Sequence, residues 1–474
     1  MRSIKYLLIL FNFCIVDVYA QTYFNRKYDY GNTATSNEAR SCIELSNGDF
    51  LISGHKYLPD YGAIHFIRIN QFGDTILTKK YPQTDCALYG GASGSLIKCL
   101  DGNFVQCGSF INPNVSNKPD ALLIKLNEFG DTLWMKKYGG VNFDNANIVC
   151  QTPDSGFVLM GCTQSYSAGP ASDFYMIKTD KNGDQLWQKN FLTSSPEDCV
   201  SGQMTLDGGF IMSGIRNSEL FLLKTDSNGN FQWLKQMYGS AGTGFIKQLQ
   251  DSTYLVVGSK LITGLSYQAY MAKINSSGTT IIWEKTYGTW GDQQFYTIPV
   301  ILADGSIVIA GQSLLGAYNN GLLIKTDSIG NQKWLRHYYL NPSGNNYIFD
   351  LKHTSDNGFI MVGSGNLTGQ DAWVVKVDEF GCPIINCSVG LNELEISDGI
   401  LTLYPNPANK EINLQISAFE ISNLQITVFN ILGEDQNVQI RNSTIDISQL
   451  AEGVYFVSVT DTYGRRWVEK FVKQ

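Results

Sequence analysis

Apolar and polar positions alternate along most of this chain in a hairpin pattern that keeps returning. Residues 121–126 form a nearly unbroken apolar run interrupted only by Lys125, the pattern of a strand covered on both faces. Asn127-Glu128-Phe129-Gly130 reads as a four-residue hairpin turn, with glycine where the backbone needs positive φ. In the antiparallel strand that follows, Trp134, Lys136 and Tyr138 sit two apart and share one face.

Variants of this hairpin recur around the turn glycines Gly73, Gly130, Gly183, Gly229, Gly278, Gly330 and Gly381, spaced 46 to 57 residues apart. That period is expected of four-stranded propeller blades. A second hairpin precedes each copy, marked by Asp101-Gly102-Asn103-Phe104, Asp207-Gly208-Gly209-Phe210 and their equivalents. In all seven, a glycine follows the large residue by four: Gly54, Gly108, Gly161, Gly214, Gly258, Gly311 and Gly363. Each repeat is therefore four antiparallel strands, with small-residue strands near the axis and the Trp/Lys/Tyr strand outermost.

The seventh copy stops at Gly381, where Cys382-Pro383 replaces the outer strand; proline is a poor ladder residue. Phe24-Asn25-Arg26-Lys27-Tyr28 carries the outer-strand pattern with phenylalanine for tryptophan, so it is expected to complete the last blade and remove exposed edges. The expected fold class is all-β: a seven-bladed β-propeller over residues 21–382, a linker over 383–398, and a small immunoglobulin-like β-sandwich over 399–474. The last assignment rests on alternating segments at 400–403, 411–416, 425–429, 443–447, 453–460 and 466–471.

A net charge of −8 and no basic stripe argue against nucleic acid as a partner. Residues 1–20 have Arg2 and Lys5 ahead of an apolar run and a small-residue site at Val18-Tyr19-Ala20, the plan of a secretory signal. Asn12-Phe13 before Cys14 is unlike a lipoprotein signal, and no run is long enough for a transmembrane segment. Export implies an oxidising compartment. Cys382 and Cys387 are close enough to form a small ring, whereas Cys42, Cys99, Cys107, Cys150 and Cys162 read as small buried hydrophobes. His55, His65, His337 and His353 are not spaced as metal ligands, so neither a metal site nor a cofactor is expected. The recurrence of the D-x-x-G-D turns favours turn chemistry over calcium binding.

Because those turns are short and constant they share one face, and the longer, variable connections fall on the other, where function is expected. These include residues 54–62, 108–120, 161–172 and 259–268 within blades, and 82–94 and 288–295 between them. Their unrepeated aromatics are the candidate ligand-binding residues: Trp290, Tyr57, Tyr61, Phe110, Tyr166, Tyr267 and Tyr318. The plainer account for each is a loop aromatic folded back onto the propeller. No catalytic constellation emerges.

The D-x-x-G-x-x-x-W pattern at 180–187 and 327–334 resembles the tryptophan-docking repeats of quinoprotein dehydrogenases and of outer-membrane assembly propellers, though without the adjacent cysteine pair found beneath many quinone cofactors. More closely, D-G-G-F-I-x-x-G followed by I-K-T-D-x-x-G-x-x-x-W-x-K-x-Y-G resembles a group of secreted bacterial propeller proteins. Near the end, Tyr404-Pro405-Asn406-Pro407-Ala408, Asn430-Ile431-Leu432-Gly433, Gly453-Val454-Tyr455 and Lys470-Phe471-Val472-Lys473 resemble the type A sorting domain of the type IX secretion system. That resemblance implies the type IX machinery as partner and passage through the periplasm and outer membrane, so that the protein is secreted or held at the cell surface. The expected function is a binding module for a glycan or protein ligand. The alternative is a secreted enzyme on a propeller scaffold, either a polysaccharide lyase or hydrolase or a quinone-dependent dehydrogenase.

Overall fold

The computed structural model describes residues 23–28, 37–57, 62–81, 86–91, 93–112, 116–167, 169, 171–191, 197–217, 219–237, 244–262, 266–288, 293–366, 370–383, 401–416, 425–430, 434–441, 443–460 and 466–474. The secretory-signal assignment at residues 1–20 lies outside them. The chain divides into two compact units, residues 1–387 and 388–474. All regular structure among the described residues is β-strand.

In the first unit Asn37–Glu44, Phe50–Tyr57, Gly62–Ile69 and Thr75–Tyr81 form one antiparallel sheet in chain order. Sheets of the same plan follow over residues 87–138, 144–191, 197–237, 245–287 and 293–338. In the second and sixth the inner strand is split in two. Each sheet packs on the next through its inner strands, and the seventh packs on the first, so the sheets close into the ring of a β-propeller. The seventh holds Asn346–His353, Phe359–Asn366 and Gln370–Val377, and its outer strand is Phe24–Tyr28, in register from Phe24 opposite Lys376 to Tyr28 opposite Ala372. The alternation Phe24-x-x-x-Tyr28 thus buries both aromatics in the last blade while the residues between them face solvent.

The repeated second-strand glycine has a local cause. Four inner strands carry a bulge at equivalent positions, between Ala39 and Ser41, Ala146 and Ile148, Cys199 and Ser201, and Ile348 and Asp350. There the inner-strand backbone presses against the neighbouring strand. A Cβ on Gly161, Gly214 or Gly363 would stand 1.8–1.9 Å from the carbonyl oxygen of Asn145, Asp198 or Tyr347. No side chain fits that gap.

The outer-strand pattern is a latch onto the next blade. The Trp134 ring lies over Gly183, and the Trp187 ring over Gly229, each within 3 Å of where a Cβ would be. Tyr138 donates its hydroxyl to the Gly183 carbonyl at 2.6 Å, Tyr287 to Gly330 at 2.7 Å and Tyr338 to Gly381 at 2.6 Å. Between tryptophan and tyrosine, Lys136 reaches Asp184 at 2.7 Å, just as Lys79 reaches Asp131 at 2.8 Å. One face of one strand therefore grips one turn by packing, charge and hydrogen bonding together.

In most blades the lysine inside the apolar third strand is explained by a partner within its own blade. Lys125, Lys178, Lys224 and Lys273 bury their stems and meet Asp101, Asp154, Asp207 and Asp251 of the preceding hairpin turn at 2.6–2.9 Å. Cys382 is disulfide-bonded, and Cys387 lies outside the described residues. Cys42, Cys99, Cys107 and Cys162 are free and buried, and Cys150 is free and partly buried.

The second unit has two four-stranded sheets. One is Leu401–Tyr404, Glu411–Ile416, Thr444–Asp446 and Gln439–Arg441; the other is Asp435–Gln436, Gln425–Asn430, Gly453–Thr460 and Arg466–Lys473. Leu403, Ile412, Leu414, Val428, Ile445, Val457, Val459 and Phe471 form its core.

Candidate functional site

Two kinds of hairpin turn occupy one face of the ring, and the connections from second to third strand and from blade to blade occupy the other. That second face is anchored by polar residues at the starts of inner strands. Asp144, wholly buried, accepts hydrogen bonds from Gly140 N, Thr163 Oγ1 and Ser165 Oγ. Asn346 accepts from Leu340 N and Asn341 N, and donates to the carbonyls of Asn341 and Gly344. Both residues hold the inter-blade connection in place.

Among the described residues, Phe110, Tyr166, Tyr267 and Tyr318 belong to four different blades. Phe110 is 3% exposed, and the Lys137 ammonium stands 3.7 Å from its ring centre. It sits in a strand rather than a loop, because the ladder of Phe104–Asn112 with Ser116–Leu126 runs through most of the connection expected at 108–120. Tyr166 is 39% exposed and donates its hydroxyl to the Gly139 carbonyl at 2.8 Å. Tyr318 is exposed to the same degree, at the tip of its hairpin opposite Leu315. Tyr267 is half-buried opposite Leu261, and Tyr57 ends a strand opposite Gly62. Tyr61 and Trp290 lie outside the described residues.

A concavity of about 620 Å³ opens on this face between the third and fourth blades. Phe143 and Ile215 give it apolar wall, and Gln164, Ser172, Asn217 and Asp198 line it with hydrogen-bonding groups. Asp198 is accessible but recessed, and its surroundings raise its carboxyl above the usual aspartate range by desolvation, opposed by the Cys162 thiol. The Cys162 sulfur accepts the Cys199 N–H at 2.8 Å and lies 3.9 Å from Asp198. Glu197, 2% exposed, accepts the Phe174 N–H at 3.1 Å and holds the cleft wall from behind. Sequence reasoning missed this site because its residues are spread over five strand ends.

Nearer the axis, the first and seventh blades meet through Arg40, whose guanidinium ion-pairs with Glu38 and lies 4.3 Å from the Phe349 ring centre. Tyr347 stacks beside Phe349 at 9°. Deeper, Asp350 of the seventh blade is wholly buried. It is met by Ser41 Oγ and Cys42 N of the first blade, by Ser93 Oγ of the second at 2.6 Å, and by Lys352 at 2.7 and 2.8 Å. His55 accepts the Gly90 N–H at 3.1 Å, and burial, with Arg40 and His65 nearby, lowers its pKa well below the usual histidine range. Among the described residues no group of three His, Cys, Asp or Glu side chains is placed to hold a metal ion.

In the second unit the motif residues have physical tasks. Asn406 donates to the Lys470 carbonyl at 2.9 Å and accepts the Val472 N–H at 3.0 Å, imitating a strand neighbour of the last segment. Both bonds Tyr404–Pro405 and Asn406–Pro407 are cis. Tyr455 stacks on Phe471 and donates to the Ala451 carbonyl at 3.0 Å, while Gly453 starts its strand opposite Lys473. Tyr404 and Lys470 face solvent. Gly433 lies outside the described residues.

Residues 402–474 match the family described as a secretion system C-terminal sorting domain. No curated protein matches the chain by sequence. Its fold is similar to a structure of unknown function from Dyadobacter fermentans, at 11% identity and TM-score 0.45, covering 74% of this chain and 98% of that one. It is also similar to the NanB sialidase of Streptococcus pneumoniae, at 13% identity and TM-score 0.42, covering 75% and 70%. A third is the Dos1 propeller, at 10% identity and TM-score 0.41, covering 74% and 84%. The sorting domain implies export to the cell surface or beyond, and no helix among the described residues is long and apolar enough to cross a membrane.

Proposed function

We propose that this exported propeller is a binding module for a glycan or protein ligand, and that the ligand is taken by the cleft between its third and fourth blades. The observation that carries this reading is the cleft's composition: an apolar wall of Phe143 and Ile215 beside the acceptors and donors of Asp198, Gln164, Ser172 and Asn217. A hydroxyl-rich ligand needs both, because its C–H faces seek apolar contact and its hydroxyls seek paired donors and acceptors. The recessed carboxyl of Asp198 is the group most costly to desolvate without a partner, so it is the one whose loss a ligand would feel.

The experiment is a glycan and protein array probed with the full chain and with Asp198→Ala. Binding by the first, lost by the second, without product formation, supports the module. Turnover of a polysaccharide, or a chromophore carried through purification, would establish the enzymatic alternative instead.

A further inference from the structure

Cys150, Lys247 and Lys352 hold the same register position in the third, fifth and seventh blades, opposite Val158, Leu255 and Ile360. The equivalent positions elsewhere are Ile43, Ile97, Gln203 and Val300. These three blades are not neighbours in the ring. All three lie on innermost strands and are partly exposed, so they border the space the ring encloses, and Lys247 feels the charge of Lys352 as Cys150 feels that of Lys247. The bond from Ser93 of the second blade to Asp350 of the seventh shows that side chains meet across this space.

The charges at this level do not balance. Lys352 holds both oxygens of Asp350, and that carboxylate is further engaged by Ser41, Cys42 and Ser93. The Lys247 ammonium has no hydrogen-bond or ion-pair partner among the described residues, and the residue is half-buried. An ammonium shielded from water and set against a second ammonium is disfavoured on both counts. A bound anion removes both penalties, and each ammonium has donors to offer it.

We propose that the axial space between Lys247 and Lys352 is an anion site, taking a carboxylate or a tetrahedral oxyanion such as sulfate or phosphate. Lys247 is the principal donor, and Lys352, held upright by Asp350, supplies the second. This site is independent of the cleft between the third and fourth blades, and either can fail without the other.

The test is calorimetric titration of the full chain with sodium sulfate, sodium phosphate and sodium acetate in a chloride-free buffer, with the melting temperature followed in parallel. A saturable single site is expected with at least one of them, with a melting temperature that rises with ligand concentration. Lys247→Met should weaken binding by at least about tenfold, while Lys247→Arg and the turn variant Lys181→Met retain it. Absence of saturable binding for all three anions, or equal binding by Lys247→Met and the unaltered chain, overturns the proposal. A melting temperature of Lys247→Met at or above that of the unaltered chain without anion shows that it folds and makes its loss of binding interpretable.

Discussion

Tyr28 donates its hydroxyl to the carbonyl of Gly73 at 2.7 Å, and through that bond the strand that completes the last blade is fastened to the first. The same strand sends Arg26 to Asp74 at 2.8 Å and lays Phe24 over the Gly73 turn. It therefore reproduces the tryptophan, lysine and tyrosine contacts of the other outer strands, one for one. Tyr28→Phe keeps the packing and removes the hydrogen bond from a buried carbonyl. A loss of about 1–3 kcal/mol in a denaturant titration is expected, with a similar loss for Tyr338→Phe.

Trp134 is only half-buried, whereas Trp373, on the third strand of the last blade, is 1% exposed and donates its indole N–H to Asn25 at 2.6 Å. Trp373→Ala should cost about 3–5 kcal/mol, and Trp134→Ala about 2–3 kcal/mol, because part of its ring is already in water. Equal losses would contradict the burial difference. Trp373 has no counterpart among the repeated tryptophans, so its weight was invisible in the sequence pattern.

A methyl group on Gly363 would stand 1.8 Å from the Tyr347 carbonyl, while one on Gly102 would meet nothing within 4 Å. Gly363→Ala is expected to destabilise by more than about 3 kcal/mol, or to prevent folding. Gly102→Ala, strained only by its φ of 83°, should cost about 1 kcal/mol. Thermal melting of the two variants side by side separates a close approach from a turn requirement.

The lysine-paired aspartates set an acid limit. Asp154 and Asp251 are each held down to about 2, Asp154 by Thr152, Lys178 and the Gly156 N–H against an opposing desolvation, Asp251 by Thr253 and Lys273. A folded-state value below the unfolded one means stabilisation that is full above about pH 4 and is lost as pH falls toward about 2. Asp101, Asp207 and Asp356 shift in the same direction. The melting temperature should therefore fall steeply across that window. Lys178→Met should lessen the fall, modestly, since Asp154 is largely exposed and its interaction is screened.

Deleting residues 388–474 removes a unit with its own core, so the propeller should melt as before. In a host with a working type IX system the truncated chain should collect in the periplasm instead of at the surface, as read by fractionation against a periplasmic marker. Surface delivery without the tail would contradict the sorting role.

Much of this architecture was legible because a repeat states its own strand order. The seven turn glycines marked the hairpins, and Phe24-x-Arg26-x-Tyr28 announced the strand borrowed by the last blade. What each repeated residue touches was not legible, since Tyr138 and Gly183 meet only once neighbouring blades dock. The recurrent second-strand glycine suggested strand length, yet its cause is a bulge in another strand. The candidate cleft was hidden for the opposite reason. Asp198 begins an inner strand while Gln164 and Asn217 belong to connections that do not repeat, and no period links them. Phe110 misled because an unrepeated aromatic was read as a loop residue, when the ladder of its hairpin extends past it.

The borrowed strand also orders events in time. Asn25 and its partner Trp373 are 348 positions apart, so at about 5–20 residues per second roughly 20–70 s of synthesis separate them. Until the later residue emerges, Phe24 and Tyr28 have the first blade to pack on but not the third strand of the last, against which they pair in the finished ring. Six sheets can assemble one after another as their residues appear, but the seventh cannot. A nascent chain halted before residue 370 thus carries a complete set of earlier sheets and an aromatic strand whose ladder partner is missing, a species with the means to pair with a second copy and with reason to be kept unfolded until synthesis is finished.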